Sequence, residues 1–273
     1  MRTIENLLTG FRPISLKEMA GVKLMNRVDT KYVTTRQSVC ALLEMASEHY
    51  FVQEIDGKRV GAYYTMYFDT EEMSMFYRHQ YDKRPRQKLR VRSYLDSKLA
   101  FLEVKTKDNH GITKKKRVVL PEFVPGTFVK TVSQMANNDF LSRHLHCNPQ
   151  QLHSLIENRF ERITLVNNAK TERITIDFNI RFHNFATGKE EHLPELVVIE
   201  LKRDSRMPSP ILPMLRTLRI KPKGFSKYCM GCSLTDESLQ INRFKPRLRD
   251  IEKLQTGTAS SFSSTETTKP LNI

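Results

Sequence analysis

The stretch RQKLRVRSYLDSKLAFLEVKTK, residues 86–107, leaves the chain little freedom in how it can fold there. Two runs of alternating residues flank Asp96, Ser97 and Lys98, which is the pattern of a β-hairpin. Side chains alternate across a strand, so Lys88, Arg90 and Arg92 share one face while Leu89, Val91 and Ser93 take the other. On the second run Phe101, Glu103, Lys105 and Lys107 lie together, opposite Leu102, Val104 and Thr106. One such hairpin would simply turn its charges to water. Here the pattern recurs.

Arg27, Asp29 and Lys31 fall on one face of a strand through Val33, and Lys115, Lys116 and Arg117 lead into Val118 and Val119. The run 173–177, RITID, alternates strictly. The run 196–202, LVVIELK, is apolar on both faces until it ends in Glu200 and Lys202, so a buried strand carries its last charges into an interior cavity. Strands that repeatedly put cations and isolated carboxylates on one face predict a barrel with a charged lumen, which needs a polyanion to fill it.

The formal net charge of +15 admits nucleic acid, an anionic membrane surface or a phosphate-rich small ligand as partner. Nucleic acid ranks last, because Tyr63, Tyr64, Tyr67 and Phe68 sit in a strand with few basic neighbours instead of interleaving with a basic face. No apolar run is long enough to cross a membrane, and MRTIENLLTGFRP is too polar for a secretory signal. Cys40, Cys147, Cys229 and Cys232 therefore read as free thiols in a reducing cytosol, and the lone CxxC at 229–232 lacks the second pair a zinc site needs.

Along the chain, Ser15 and Glu18 form a capping box for a helix reaching about Met25, and Thr35 opens a helix with the stripe Val39, Leu42, Leu43, Ala46. Asp56-Gly57 predicts a tight turn, 73–81 a short helix and 108–111 another turn. Helical spacing is expected over 126–156, strands over 159–166 and 173–182, and a helix capped by Ser209 with Pro210 at its first position. Residues 1–240 are expected to form one domain, and 241–273 a basic, then Ser/Thr-rich, disordered tail.

The ordered series TKY (30–32), YFDT (67–70), LRVRSY (89–94), LEVKTK (102–107), RITID (173–177), VIELK (198–202) and FSKY (225–228) resembles the VTC domain, the polyphosphate polymerase branch of the triphosphate tunnel metalloenzymes (CYTH-like), over 27–233. The resemblance implies an α+β fold, an antiparallel β-barrel tunnel of about eight strands with flanking helices, whose closure removes exposed edges. It carries the family's phosphate-binding residues onto Lys31, Arg90, Arg92, Lys105, Arg162, Arg173 and Lys227, with Lys115, Arg117 and Lys223 as further candidates. The metal-binding glutamate falls on Glu200, and Glu103 is either a second ligand or, the favoured reading, a salt-bridge partner for Arg90 or Lys105.

The chain departs from the family's relatives in two places. CYTH hydrolases open with ExExK where this chain has Arg27-x-Asp29-x-Lys31, which favours the polymerase branch. Polymerases commonly place a lysine directly before FSK, where Gly224 stands and Lys223 lies one residue earlier. The resemblance implies transfer of the γ-phosphoryl of ATP to a growing polyphosphate chain with Mn²⁺ or Mg²⁺ as cofactor. It also implies a cytoplasmic protein that can work beside a membrane-protein partner at the inner face of the membrane. The alternatives are a tunnel-fold triphosphatase and a non-catalytic polyphosphate-binding regulatory module.

Overall fold

The hairpin forms as its alternation requires. In the computed structural model β5 (Arg86–Tyr94) pairs with β6 (Leu99–Lys107), and Lys98 turns the corner at φ +53°. Gln87, Leu89, Val91 and Ser93 are buried on one face of β5, which leaves Lys88, Arg90 and Arg92 on the other. The structure describes residues 3–19, 27–121, 123–134 and 138–257.

The hairpin belongs to an eleven-stranded sheet. Ahead of it come α1 (Ile4–Leu8), β1 (Arg12–Ile14), α2 (Leu16–Met19), β2 (Arg27–Thr35), α3 (Arg36–Ala46), β3 (Tyr50–Gln53), β4 (Gly61–Asp69) and α4 (Ser74–Gln80). Behind it come β7 (Thr113–Val119), α5 (Asn138–His144), β8 (His153–Asn167), β9 (Glu172–Asn184), β10 (Glu190–Leu193) and β11 (Leu196–Asp204), then α6 (Ile211–Thr217), α7 (Lys227–Thr235) and α8 (Lys245–Gln255). The main path runs β2-β11-β9-β8-β4-β5-β6-β7, antiparallel at each step. The segment 222–226 bridges two distant strands of the sheet, pairing with Tyr32 and Lys31 on β2 and receiving Lys88 from β5.

The outer face is apolar and covered. Val39, Leu42, Leu43 and Ala46, the predicted stripe of α3, pack with α1 and α6 on Ile163, Ile174, Ile176, Val197 and Ile199. Thr35 caps α3 by accepting from Ser38 N, and Ser15 and Glu18 form their capping box. A second outer cluster joins Leu89, Val91, Leu102 and Val104 to Leu141 of α5. The inner face is divided. One part is charged, and the other is filled by α7, around which Tyr67, Ile156, Phe160 and Val198 pack, with Phe76 of α4 and Ile251 of α8 outside them.

Several expectations need correcting. Among the described residues the barrel does not close by strand pairing: β7 and β2 end the path without a ladder between them. The free edge of β2 is taken by a bridge from Tyr32 to Pro222 and by Lys223 N donating to Lys31 O, while β7 carries Lys114, Lys115, Lys116 and Arg117. Residues 126–156 are not mainly helical. Among the described residues they hold α5 and two single turns of 3₁₀-helix, and Leu155 and Ile156 already lie in β8, whose burial on both faces hides its alternation. The basic segment assigned to the tail contains α8, anchored by buried Phe244 and Ile251 and by a 2.7 Å ion pair from Lys223 to Asp250. Pro210, not Ser209, precedes α6, without a side-chain cap. The expectations for 20–25, Met135 and 258–273 lie outside the described residues.

Gly231 on α7 is the tightest point of this packing. A Cβ there would lie 2.6 Å from Phe182 and 2.7 Å from Ile156. Gly231→Ala should therefore lower stability by about 1–3 kcal/mol, as overpacking does. Chemical denaturation reads this directly, and an unchanged midpoint would mean that α7 is not wedged into the trough.

Candidate phosphate-binding trough

The register decides which side chains share the inner face. Lys31 lies opposite Glu200, which lies opposite Thr175. Asp177 lies opposite Arg162, Thr65 lies between Asn158 and Arg92, and Arg90 and Lys105 follow through the hairpin to Lys115 and Arg117. Arg173, two residues before Thr175 and opposite Lys202, takes the same face. Lys227, at the start of α7, reaches in to Asp177. Strands far apart in sequence thus bring together Lys31, Arg90, Arg92, Lys105, Lys115, Arg117, Arg162, Arg173, Glu200 and Lys227. Lys223 is the exception, because its ammonium is tied to Asp250 on α8.

Three carboxylates divide these cations. Glu103, 1% exposed, accepts from Arg90 Nε and Nη2 at 2.8 and 2.6 Å and from Lys115 at 3.1 Å. This is the salt-bridge role expected of it, with Lys115 in place of Lys105. Asp177 accepts from Arg162 at 2.5 and 2.8 Å and from Lys227. Glu200 is paired with Lys202 at 2.7 Å and Lys31 at 3.5 Å. Burial alone would raise all three pKa values, but the cations outweigh it. Arg90, Arg92 and Lys115 hold Glu103 down to about 2, and Asp177 and Glu200 lie well below the carboxylate range.

Three residues here were not among the site candidates read from the sequence. Asp177 ends RITID, where its position on the inner face was already readable. Lys88 lies two residues before Arg90 on the same face; its Nζ donates to Ser226 Oγ at 2.8 Å, and burial, then Lys31, Arg86 and Arg90, push it down to about 8. Asn158 carried no readable signal. It is 1% exposed, and among the described residues neither of its amide atoms has a partner, nor do the buried Thr65 Oγ1 and Arg92 Nε beside it. An aromatic row borders this group: Tyr63 stacks on Phe160 at 5.2 Å, Tyr94 meets Tyr63 at 5.0 Å and Phe101 at 5.9 Å, and Arg162 lies over Tyr63 at 4.8 Å. Gly61, Tyr63, Tyr94, Arg162 and Thr164 line a pocket beside it.

Among the described residues no three His, Cys, Asp or Glu side chains gather as a protein-only metal site. Glu103 is unsuited as a second ligand, being buried and claimed by two cations. Glu200 also has two cations beside it, Lys202 at 2.7 Å and Lys31 at 3.5 Å, but is more open, with 18% of its side chain exposed. One accessible carboxylate among cations fits a Mg²⁺-like or Mn²⁺-like ion whose remaining ligands are phosphate oxygens and water. Cys229 and Cys232 are buried in α7 and take no part.

Curated proteins give no match. Among solved structures, a putative adenylate cyclase from Bacillus halodurans is similar at TM-score 0.47 and 13% identity, covering 74% of this chain and 96% of that one. A putative adenylyl cyclase from Hippeastrum, described as revealing a dominant triphosphatase activity, is similar at TM-score 0.44 and 12% identity, covering 78% and 99%. At such scores these likenesses carry no argument about this chain's activity. The VTC domain model matches residues 26–235, which is most of the chain and the whole of the trough, and the chain therefore belongs to the VTC domain family.

Proposed function

We propose that this chain is a polyphosphate polymerase that transfers the γ-phosphoryl group of ATP to the end of an inorganic polyphosphate chain. The observation that carries this reading is a set of cations left without a carboxylate: Arg92, Lys88 and Lys105 make no ion pair among the described residues, yet they lie side by side with the paired ones on one enclosed face. A ligand with many anionic oxygens in a row supplies what they lack.

The chemistry asks little else of the protein. A terminal phosphate oxygen of the polymer, already ionised, attacks the γ-phosphorus; a new P–O–P bond forms, the bond to the β-phosphate oxygen breaks, and ADP leaves with that electron pair. No general base is needed, so positioning and charge neutralisation carry the catalysis. Arg90, held by Glu103, and Arg162, held by Asp177, present fixed forks to phosphate oxygens, while Arg92 and Lys105 add charge. A divalent ion held by Glu200 and the phosphates would neutralise charge on the transferring group. Docking beside a membrane-protein partner belongs to the same proposal. No helix among the described residues is long and apolar enough to cross a membrane. A triphosphatase remains the second reading, favoured by the closure of one end of the trough by α7.

Purified protein with ATP and Mn²⁺ should yield ADP and long polymer on a gel, whereas orthophosphate without polymer would mark the triphosphatase. Glu200→Gln should lower turnover on the order of 100-fold while sparing most of the triphosphate affinity. Near wild-type turnover would remove Glu200 from the metal site.

The buried charge of Lys88 gives a separate check. A lysine whose folded pKa lies near 8, below its unfolded value, weakens folding while it is charged, and that cost disappears as pH rises through the folded value. Lys88→Met should thus stabilise the free protein by on the order of 2 kcal/mol near pH 7, with the gain shrinking as pH rises above about 8. A gain that does not change with pH would place Lys88 in solvent.

A further inference from the structure

The aromatic row lies where four strands of the sheet stop. β4 begins at Gly61, β5 ends at Tyr94, β6 begins at Leu99 and β7 ends at Val119, so one rim of the sheet passes through these residues. On the inner face this rim carries rings instead of charges. Tyr63 lies opposite both Phe160 and Tyr94, and Phe101 lies opposite Arg92 and Val119. Alternation fixes the next step inward: two residues from Tyr94 is Arg92, and two from Phe101 is Glu103, which holds Arg90. A flat apolar ledge thus borders a cationic floor.

The rings are not equally committed. Tyr63 stacks on Phe160 and has Arg162 4.8 Å over it, Phe160 is also covered by Lys227 at 4.1 Å, and Phe101 has Arg117 at 4.5 Å. Tyr94 meets Tyr63 and Phe101 only at steep angles, with the ring planes 60° and 90° apart. Among the described residues no ring lies parallel to it and no cation sits over it. It is half-buried, Leu99 opposite it is 49% exposed, and the pocket that it lines with Tyr63 and Arg162 opens beside it. A rim tyrosine without a stacked partner suits a planar π-system.

We propose that Tyr94 is the stacking platform for the base of a nucleoside triphosphate whose phosphates run inward from Arg92 towards Arg90 and Lys105. The proposal rests on the phosphate-binding reading and adds to it the uncharged part of the substrate. Successive inner-face residues on β5 are about 7 Å apart, so a base on Tyr94 leaves the α-phosphate near Arg92 and makes the γ-phosphate the deepest of the three. The carboxylate nearest this ledge does not read the edge of the base, because Asp96 accepts from Lys58 at 2.7 Å and from the backbone N–H of Ala62 at 2.8 Å. Stacking without readout of the edge accepts any base, since each has a π-face. The ledge therefore selects for the presence of a base and not for its identity.

Equilibrium binding of ATP, GTP and tripolyphosphate to the wild type, Tyr94→Phe and Tyr94→Leu, measured without divalent metal so that nothing turns over, tests this. Tyr94→Leu should weaken ATP and GTP alike by about ten-fold, within the range for a base stacked on an aromatic side chain, and leave tripolyphosphate unchanged. Tyr94→Phe should bind all three as the wild type does. The tripolyphosphate arm also reports that the variants are folded. Loss of tripolyphosphate binding equal to that of ATP would make Tyr94 a structural residue of the rim. Unchanged ATP binding in Tyr94→Leu would place the base elsewhere, and a wild type that binds ATP far more tightly than GTP would mean that the base is read at its edge; each of these overturns the proposal. Failure of tripolyphosphate to bind the wild type would overturn the phosphate reading itself.

Discussion

Crowding like charges on one concave face is the constraint on which this structure turns. Arg90 and Arg92 point the same way with Cα atoms about 7 Å apart, and at an effective dielectric near 20 such a pair costs roughly 2 kcal/mol. The fold survives because each of three carboxylates serves two cations. Glu103 on β6 links β5 to β7, Asp177 on β9 links β8 to α7, and Glu200 on β11 links β2 to its own Lys202. The same contacts that offset the repulsion also hold the strands in register. Arg90 and Arg162 are fixed before any ligand arrives, and little side-chain entropy remains to be lost on binding.

The repulsion left over accounts for the placement of α7. An apolar helix in the trough replaces what would otherwise be further wall in need of further charge, and it confines the cations to one section. Glycine at position 231 lets the helix approach β8 and β9 closely, and Ser226 and Lys227 turn its N-terminus towards the charges. At the seam between β7 and β2, the β2 edge is occupied by Pro222 and Lys223 instead of by the strongly basic β7.

Much of this was legible in the sequence, and the reason is periodicity. The face shared by Lys88, Arg90 and Arg92 follows from alternation alone, and the ordered short motifs contain Lys31, Lys105 and Arg173, which the register puts on the inner face. Legibility failed where burial erased the period. Leu155 and Ile156 lie in a strand buried on both faces, so they read as part of a helix. Phe244 and Ile251 anchor α8 with too few apolar residues to stand out from a basic run. Lys223 was placed by its spacing from FSK, yet its partner Asp250 lies in that same helix, and only packing revealed it. Asn158 is a polar residue in an apolar stretch, and its lack of partners is a property of the fold alone.

The central claim is that the cations face a shared enclosure. Melting curves of the free protein with tripolyphosphate, orthophosphate or a DNA oligomer at equal ionic strength test it most directly. Tripolyphosphate at about 100-fold its dissociation constant should add about 2.7 kcal/mol of stability by mass action, and the other two should do much less, since one cannot span the cations and the other cannot enter. Protection by DNA equal to that by tripolyphosphate would mean that the basic residues lie on an open surface.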